Sequence, residues 1–365
     1  MKISIYKRLF SIYKILGKTF GSWISPIFTG FLLLILRFIV FLGSIIDYLC
    51  FSKIRKGKIK RPILIVGNPR SGTTFLHHYL TKNNLGTGSQ LWQMIYPSVV
   101  LQKIIRPFLP LLEKISPTKH HSTDAHKTSL QSVETDDVSI LFRYLDGFFL
   151  YGFLLSWHQD NLFDWVDPNK RDTSKRDFDW LESMWIKVLI SNKQDQIIGK
   201  LFSISANMPK FLERFPDSKI LYMIRDPLSV IPSGLSLVTG VLDKKFNFWS
   251  MPKEKRQQFI EKLYTALKEL LLRFHDDWIN NRIDKKRVMI VRFDQMMSNF
   301  DILMGEILEF VDFKGTKEFM NDIKKTSEKQ KIFKSGHNYN LEKFGLTEEK
   351  IRTDCAKIYE TFFNE

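Results

Sequence analysis

Cysteine is nearly absent: 365 residues hold two, Cys50 and Cys355. They lie far apart and lack the spacing of metal ligands, so a disulfide framework is excluded and a reducing, cytoplasmic compartment is expected. There is no C2H2 pattern, RNP-like run or Arg-rich arm, which argues against nucleic acid as a partner. No internal repeat or low-complexity tract is visible. Acids are the minority charge, 39 against 55 Lys and Arg, for a net charge of +16 and a pI near 9.6. That balance suits anionic partners such as a nucleotide or an acidic membrane surface. Apolar residues make up 44% and aromatics 14%, enough for a sizeable core. The length allows one large α/β domain with attachments, or two domains.

Residues 1–60 differ from the rest. A basic start (Lys2, Lys7, Arg8, Lys14, Lys18) precedes an apolar stretch from Trp23 to Phe51, whose centre, Phe28 to Ile46, carries one charge, Arg37. That is near the ~20 apolar residues a membrane span needs. No small-residue cleavage site of a signal peptide is present. Positive charge flanks both sides, so the positive-inside rule sets no orientation. Three readings stay open: a span, a helix lying in the membrane surface, or a helical prefix packed on the remainder. Residues 61–365 are expected to form the main α/β domain.

The centre of that domain is RPILIVGNPRSGTTFLHHYL, residues 61–80. Ile63 to Val66 reads as a buried strand bounded by Pro62 and Gly67, and Thr73 to Leu80 as a helix. Between them lies a tight turn, Gly67-Asn68-Pro69-Arg70-Ser71-Gly72. Strand, Gly-bounded loop and helix are how α/β proteins cradle phosphate. Loop N–H groups and the first helical N–H groups converge on one spot, and the helix dipole adds partial positive charge. Arg70 adds a full charge, and Ser71, Thr73 and Thr74 add hydroxyl donors. The spacing approaches a Walker A loop, but the lysine position is Thr73, which removes the main contact to the outer phosphates of a triphosphate. The bland alternative is a structural turn.

Further strands are expected at Gln196–Lys200, Lys219–Ile224 and Arg287–Arg292, and a short one at Leu85–Gly88. Helices are expected at 134–147, 208–214, 228–238, 253–281, 300–312, 316–328 and 347–363. Strands separated by helices imply right-handed crossovers and a parallel sheet, with ligands at the strands' carboxyl ends. Gly67, Lys200, Arg225 and Arg292 all lie at such ends. The polar segment 120–126 holds three histidines without metal-site spacing, and no metal is expected. Glu134, Asp136 and Asp137 suit a helix N-terminus, with Asp136 as a cap. Aromatics crowd 148–190, either as core or as the lining of an apolar pocket.

The PRSGTT loop resembles the 5′-phosphosulfate loop of sulfotransferases that use 3′-phosphoadenosine-5′-phosphosulfate. ILYMIRDPLSVIPSG adds Arg225 at a strand end and Ser233 eight residues on, the family's spacing for the pair that holds the 3′-phosphate. FPDSKILYMIRDP, HNYNLEKFGL and GNPRSGTTFLHHYL resemble the branch that includes tyrosylprotein sulfotransferases, over about residues 45–350. The resemblance implies a P-loop-like parallel sheet flanked by helices. It also implies in-line sulfuryl transfer to a hydroxyl or amine without a metal. Asn68, Pro69, Arg70, Ser71, Gly72, Thr73, Thr74, Arg225 and Ser233 would bind the nucleotide, and Arg70 would stabilise the leaving diphosphate.

Lys200 resembles the strand-end lysine that reaches the transferring group, although Leu201-Phe202-Ser203 follow it where a proline is usual. The family's basic glutamate falls in SQLWQM, where Gln90 and Gln93 stand and cannot accept a proton usefully. The base role is therefore assigned to His126, with Glu134 as second candidate or as orienter of His126. The expected acceptor is a small or lipid-like molecule, with membrane contact through residues 23–51. The rivals are a small-molecule kinase with a degenerate P-loop, Asp226 holding Mg²⁺, and a non-catalytic nucleotide-binding homologue attached to a membrane.

Overall fold

A computed structural model of the chain describes residues 3–116, 129–332 and 340–364. These fall into two compact units. One joins the described residues within 1–59, 87–195 and 236–266; the other joins those within 60–86, 196–235 and 267–365.

The second unit holds a four-stranded sheet: β1 (Ile63–Val66), β2 (Ile198–Lys200), β3 (Lys219–Ile224) and β4 (Val288–Arg292). All pairings are parallel and the order is β2-β1-β3-β4. All four residues of β1 are buried, as expected for a strand covered on both faces. On one face, Ile63, Ile65, Leu221, Met223 and Val291 meet Leu76, Tyr79 and Leu80 of the Thr73–Lys82 helix, and Phe300, Leu303 and Ile307 of the Phe300–Phe310 helix. On the other, Tyr222 stacks on Phe274 with centroids 3.3 Å apart. Because β1 lies between β2 and β3, the loops leaving these three strands emerge side by side at one carboxyl edge.

The first unit contains the N-terminal helices α1 (Ile5–Phe20) and α2 (Ser25–Cys50). α1 starts at Ser4, whose hydroxyl accepts from the Lys7 N–H, and ends at Gly21 in the left-handed region, φ 66°. Asp146 is buried among Arg8, Arg171 and Arg176. Most of the aromatics of 148–190 that belong to regular structure serve the core, among them Tyr151, Trp157, Phe178 and Trp185.

Several local expectations shift. Leu85–Gly88 is not a strand; within it Thr87 alone is a bridge residue, and the neighbouring Gln90 makes an isolated antiparallel bridge with Val133. The helix expected over 134–147 is shorter, Asp137–Tyr144; it ends where Leu145 enters the left-handed region, φ 49°. Asp136 stands at its N-cap without a side-chain bond to the helix. The helix after β3 runs further than expected, Pro227–Phe246, and carries Pro232 within it. The 347–363 helix breaks at Cys355 into Glu348–Asp354 and Ala356–Phe362.

Candidate active site

The turn after β1 is built by two glycines. Gly67 has φ 142°, and a Cβ there would stand 2.3 Å from the Met223 carbonyl oxygen of the adjacent strand. Gly72 has φ 93°, and its Cβ would stand 2.6 Å from Met296 Cε and 3.0 Å from Phe293. Between them Asn68 is buried and donates through Nδ2 to the Leu267 carbonyl at 2.7 Å. The Asn68 carbonyl accepts from the Ser71 N–H at 3.1 Å and the Ser71 hydroxyl at 2.8 Å. The loop is thus closed by its own backbone and pinned to the Lys253–Ile279 helix. Pro69, half-buried, precedes Arg70, and Thr73 opens the Thr73–Lys82 helix in a buried position.

Arg70 adopts φ 79°, a conformation that costs a side-chain-bearing residue about 1–3 kcal/mol. Two neighbours hold it there. Arg225 Nη1 donates to the Arg70 carbonyl at 3.0 Å. Arg70 Nε donates to Ser233 Oγ at 3.1 Å, and Ser233 is buried. The two motifs, 163 residues apart for the second bond, therefore meet at one place. Lys200, buried at the end of β2, donates to Thr74 Oγ1 at 3.2 Å, on the first turn of the helix that follows the loop. Arg70, Lys200 and Arg225 gather positive charge at one sheet edge. The N-terminal dipole of the Thr73–Lys82 helix has the same sign. An anion is the ligand such an arrangement favours.

Two contributors were missed in the sequence. Phe293, directly after β4, lies under the Arg225 guanidinium at 4.3 Å and also packs on Gly72, so it orients the cation and closes the loop from below. His77 is fully buried, and its Nε2 donates to the Ile198 carbonyl at 2.9 Å. Burial, then the nearby Lys200 charge, holds its pKa well below the usual histidine value, so the ring is neutral. It ties the loop helix to β2 and so positions Lys200. Only the position of His77 one turn beyond Thr73 hinted at this.

Other strand-end charges have structural partners. Asp226 Oδ1 accepts from the Leu228 N–H at 2.9 Å and from the Tyr359 hydroxyl at 2.6 Å, capping the helix that carries Ser233. That engagement disfavours Asp226 as a Mg²⁺ ligand. Arg292 pairs with Asp294 and donates to the Phe362 carbonyl at 3.2 Å, docking the C-terminal helix. Among the described residues no group of three or more His, Cys, Asp or Glu is arranged to hold a metal.

His126 lies outside the described residues. Glu134 belongs to the other unit, where it is buried and accepts from the Ser132 hydroxyl at 2.9 Å. Gln90 and Gln93 act locally. They form a capping box at the start of the Leu91–Ile95 helix, and Gln93 Nε2 also donates to Asn192 Oδ1 at 2.9 Å.

Comparison with known proteins agrees with this architecture. Residues 62–317 match the model of the sulfotransferase family. Among curated proteins, an omega-hydroxy-beta-dihydromenaquinone-9 sulfotransferase, Stf3, of Mycobacterium bovis is 27% identical over 187 residues, which is 48% of this chain and 45% of that protein. The Stf3 of Mycobacterium tuberculosis matches to the same extent. The chain thus spans under half the length of these relatives. Among solved structures, sulfotransferase STF1 of Mycobacterium tuberculosis superposes with a TM-score of 0.72 at 16% identity, covering 96% of this chain and 92% of that one. Sulfotransferase STF9 of Mycobacterium avium gives 0.67 at 18% identity, covering 86% and 79%. These two likenesses concern the fold. The family match covers the sheet, the loop after β1 and the Arg225–Ser233 segment together, and by it this chain belongs to the sulfotransferase family.

Proposed function

We propose that the chain transfers a sulfuryl group from 3′-phosphoadenosine-5′-phosphosulfate to a hydroxyl or amine of a small or lipid-like acceptor, without a metal. The observation that carries the reading is the junction at Arg70. Its carbonyl meets Arg225 and its guanidinium meets Ser233, so a diphosphate cradle and a second anion site stand side by side. One adenosine ligand bearing both a 5′-phosphosulfate and a 3′-phosphate needs that pairing.

In this reading the N–H groups of Arg70 and of residues 72–74 and the hydroxyls of Thr73 and Thr74 bind the 5′-phosphosulfate, while Asn68, Pro69 and Ser71 shape the loop that presents them. Arg225 and Ser233 bind the 3′-phosphate. Acceptor oxygen attacks sulfur in line, the bond from sulfur to the bridging oxygen breaks, and charge builds on the departing phosphate. Arg70 stabilises that charge, and each preorganised donor of this kind lowers the barrier by roughly 3–4 kcal/mol. Lys200 reaches the transferring group. The acceptor proton goes to His126, or to Glu134. The menaquinone-type acceptor named for the Stf3 relatives supports a lipid-like one here, as do residues 23–51, through which we place this cytoplasmic protein at a membrane.

Arg225→Ala tests the assignment. It should weaken binding of 3′-phosphoadenosine-5′-phosphate far more than binding of the same nucleotide without its 3′-phosphate; an unchanged ratio refutes it. His126→Ala should lower turnover and leave nucleotide affinity alone. Nucleotide binding with no turnover on a broad panel of phenols and lipid extracts would instead support a non-catalytic homologue. Tight ATP–Mg²⁺ binding would support a kinase.

A further inference from the structure

The helix α2 is built the wrong way round for water. Its inward seam is Leu33, Leu36, Arg37, Val40, Gly43, Ser44 and Asp47, which contains every charge the helix has. Its outward surface is Ile, Phe and Leu, with Phe28, Phe31, Leu34, Phe38 and Phe41 each about 60% exposed. A helix at a protein–water boundary shows the opposite pattern, and an exposed apolar surface of this length marks a binding face.

The seam is fixed to the first unit at two depths. Arg37 donates to the carbonyls of Phe142 and Arg143, both at 3.1 Å, at the C-terminus of the Asp137–Tyr144 helix. Ten residues on, the Asp47 carboxylate, fully buried, accepts from the Val99 and Val100 N–H groups at 2.9 Å and caps the Val99–Ile105 helix. At Gly43 a Cβ would stand 2.7 Å from Ser98 Oγ, so the two elements touch backbone to side chain.

At 26 residues, about 39 Å, α2 is long enough to cross a bilayer core of about 30 Å. The attachments argue against crossing. Arg37 lies midway along the helix, so a span would carry its partner carbonyls to the bilayer centre. With them would go Tyr144, whose carbonyl accepts from Arg8, and the buried cluster of Arg8, Asp146, Arg171 and Arg176. Ionised groups are costly there.

A second apolar stripe continues from the helix that Asp47 caps. Ile104, Phe108, Leu111 and Ile115 recur at helical spacing and are each at least 56% exposed. Charge identifies the surface they meet. Residues 1–59 hold ten Lys and Arg against one acid, Asp47, and Lys53, Lys56 and Lys58 are exposed just past the end of α2. Basic residues beside an apolar helix are what an anionic lipid surface attracts.

We infer that α2 lies in the plane of one leaflet of an anionic membrane, seam toward the protein and apolar side in the lipid, with the 104–115 stripe entering beside it. The inference stands independently of the sulfuryl-transfer reading.

The test uses the full chain. In flotation it should bind phosphatidylglycerol–phosphatidylcholine vesicles far better than phosphatidylcholine alone, and less at high salt. Lys53→Ala/Lys56→Ala/Lys58→Ala should weaken binding about 100-fold, at roughly fivefold per charge. Phe31→Glu and Leu111→Glu, both at exposed sites, should each weaken it about tenfold or more while leaving circular dichroism unchanged. In a Cys50→Ser background, Ile24→Cys and Leu49→Cys in sealed inverted membranes should both react with an impermeant maleimide. Protection of one end alone would show a span and overturn the inference. Failure to bind vesicles would overturn it too, as would a dimer that Phe31→Glu converts to monomer.

Discussion

The conformation of Arg70 allows its two roles to be separated. Its left-handed backbone, φ 79°, is held by the Arg225 bond to its carbonyl, which any residue at this position would keep. Its guanidinium is a matter of side chain alone. Arg70→Ala removes the charge and leaves the backbone cost; Arg70→Gly removes both. Relief of a left-handed residue is worth about 1–2 kcal/mol, of which the extra freedom of unfolded glycine returns part, so the glycine variant should be the more stable by about 1 kcal/mol. Urea titration of the two variants under one set of conditions measures that difference. Both should lose transfer by at least about 10²–10³-fold, the effect of removing one donor to developing charge. Equal stability would mean that the turn does not hold Arg70 in a costly conformation. Retained transfer in either variant would mean that Arg70 does not face the leaving group.

Three other outcomes follow from contacts around the site and in the first unit. Lys200→Met should lower turnover about 10²–10³-fold with donor affinity nearly unchanged, measured as kcat against the Kd of 3′-phosphoadenosine-5′-phosphate. Tyr359→Phe removes the hydroxyl bond to Asp226 and should cost about 1.5–3 kcal/mol in urea unfolding, since the acceptor is charged. Asp146→Asn removes the carboxylate charge that three guanidinium groups share and should cost about 3–5 kcal/mol. Burial pulls the Asp146 carboxyl upward, but Arg171, Arg8 and Arg176 outweigh it and hold the carboxyl below its ordinary value. The wild-type stabilisation is therefore complete above that ordinary value and lost as pH falls through the depressed one, a decline that the Asn variant should lack.

What could be read in advance divides by the range of the interactions. β1 and β3 match their expected limits, Ile63–Val66 and Lys219–Ile224, because a run of apolar residues between turn formers is a local signal. The turn after β1 was legible for the same reason: glycines, hydroxyls and one arginine in eight residues impose it. The edges of β2, three residues in place of five, were not, because its length depends on pairing with β1 alone. Phe293 and His77 were missed because each acts through partners far away in the chain.

The same division explains why the donor side can be argued more closely than the acceptor side. Anion binding reuses backbone N–H groups and a helix end, which a short motif dictates. Acceptor recognition depends on which side chains from distant segments come to share a pocket, and apolar residues in 148–190 serve a core as readily as a pocket. The α2 helix shows the limit most clearly. Its composition fitted a span, a surface helix and a packed prefix alike. The difference lay in the direction of two residues, Arg37 and Asp47. Both point into the protein, which leaves the apolar remainder of the helix facing outward.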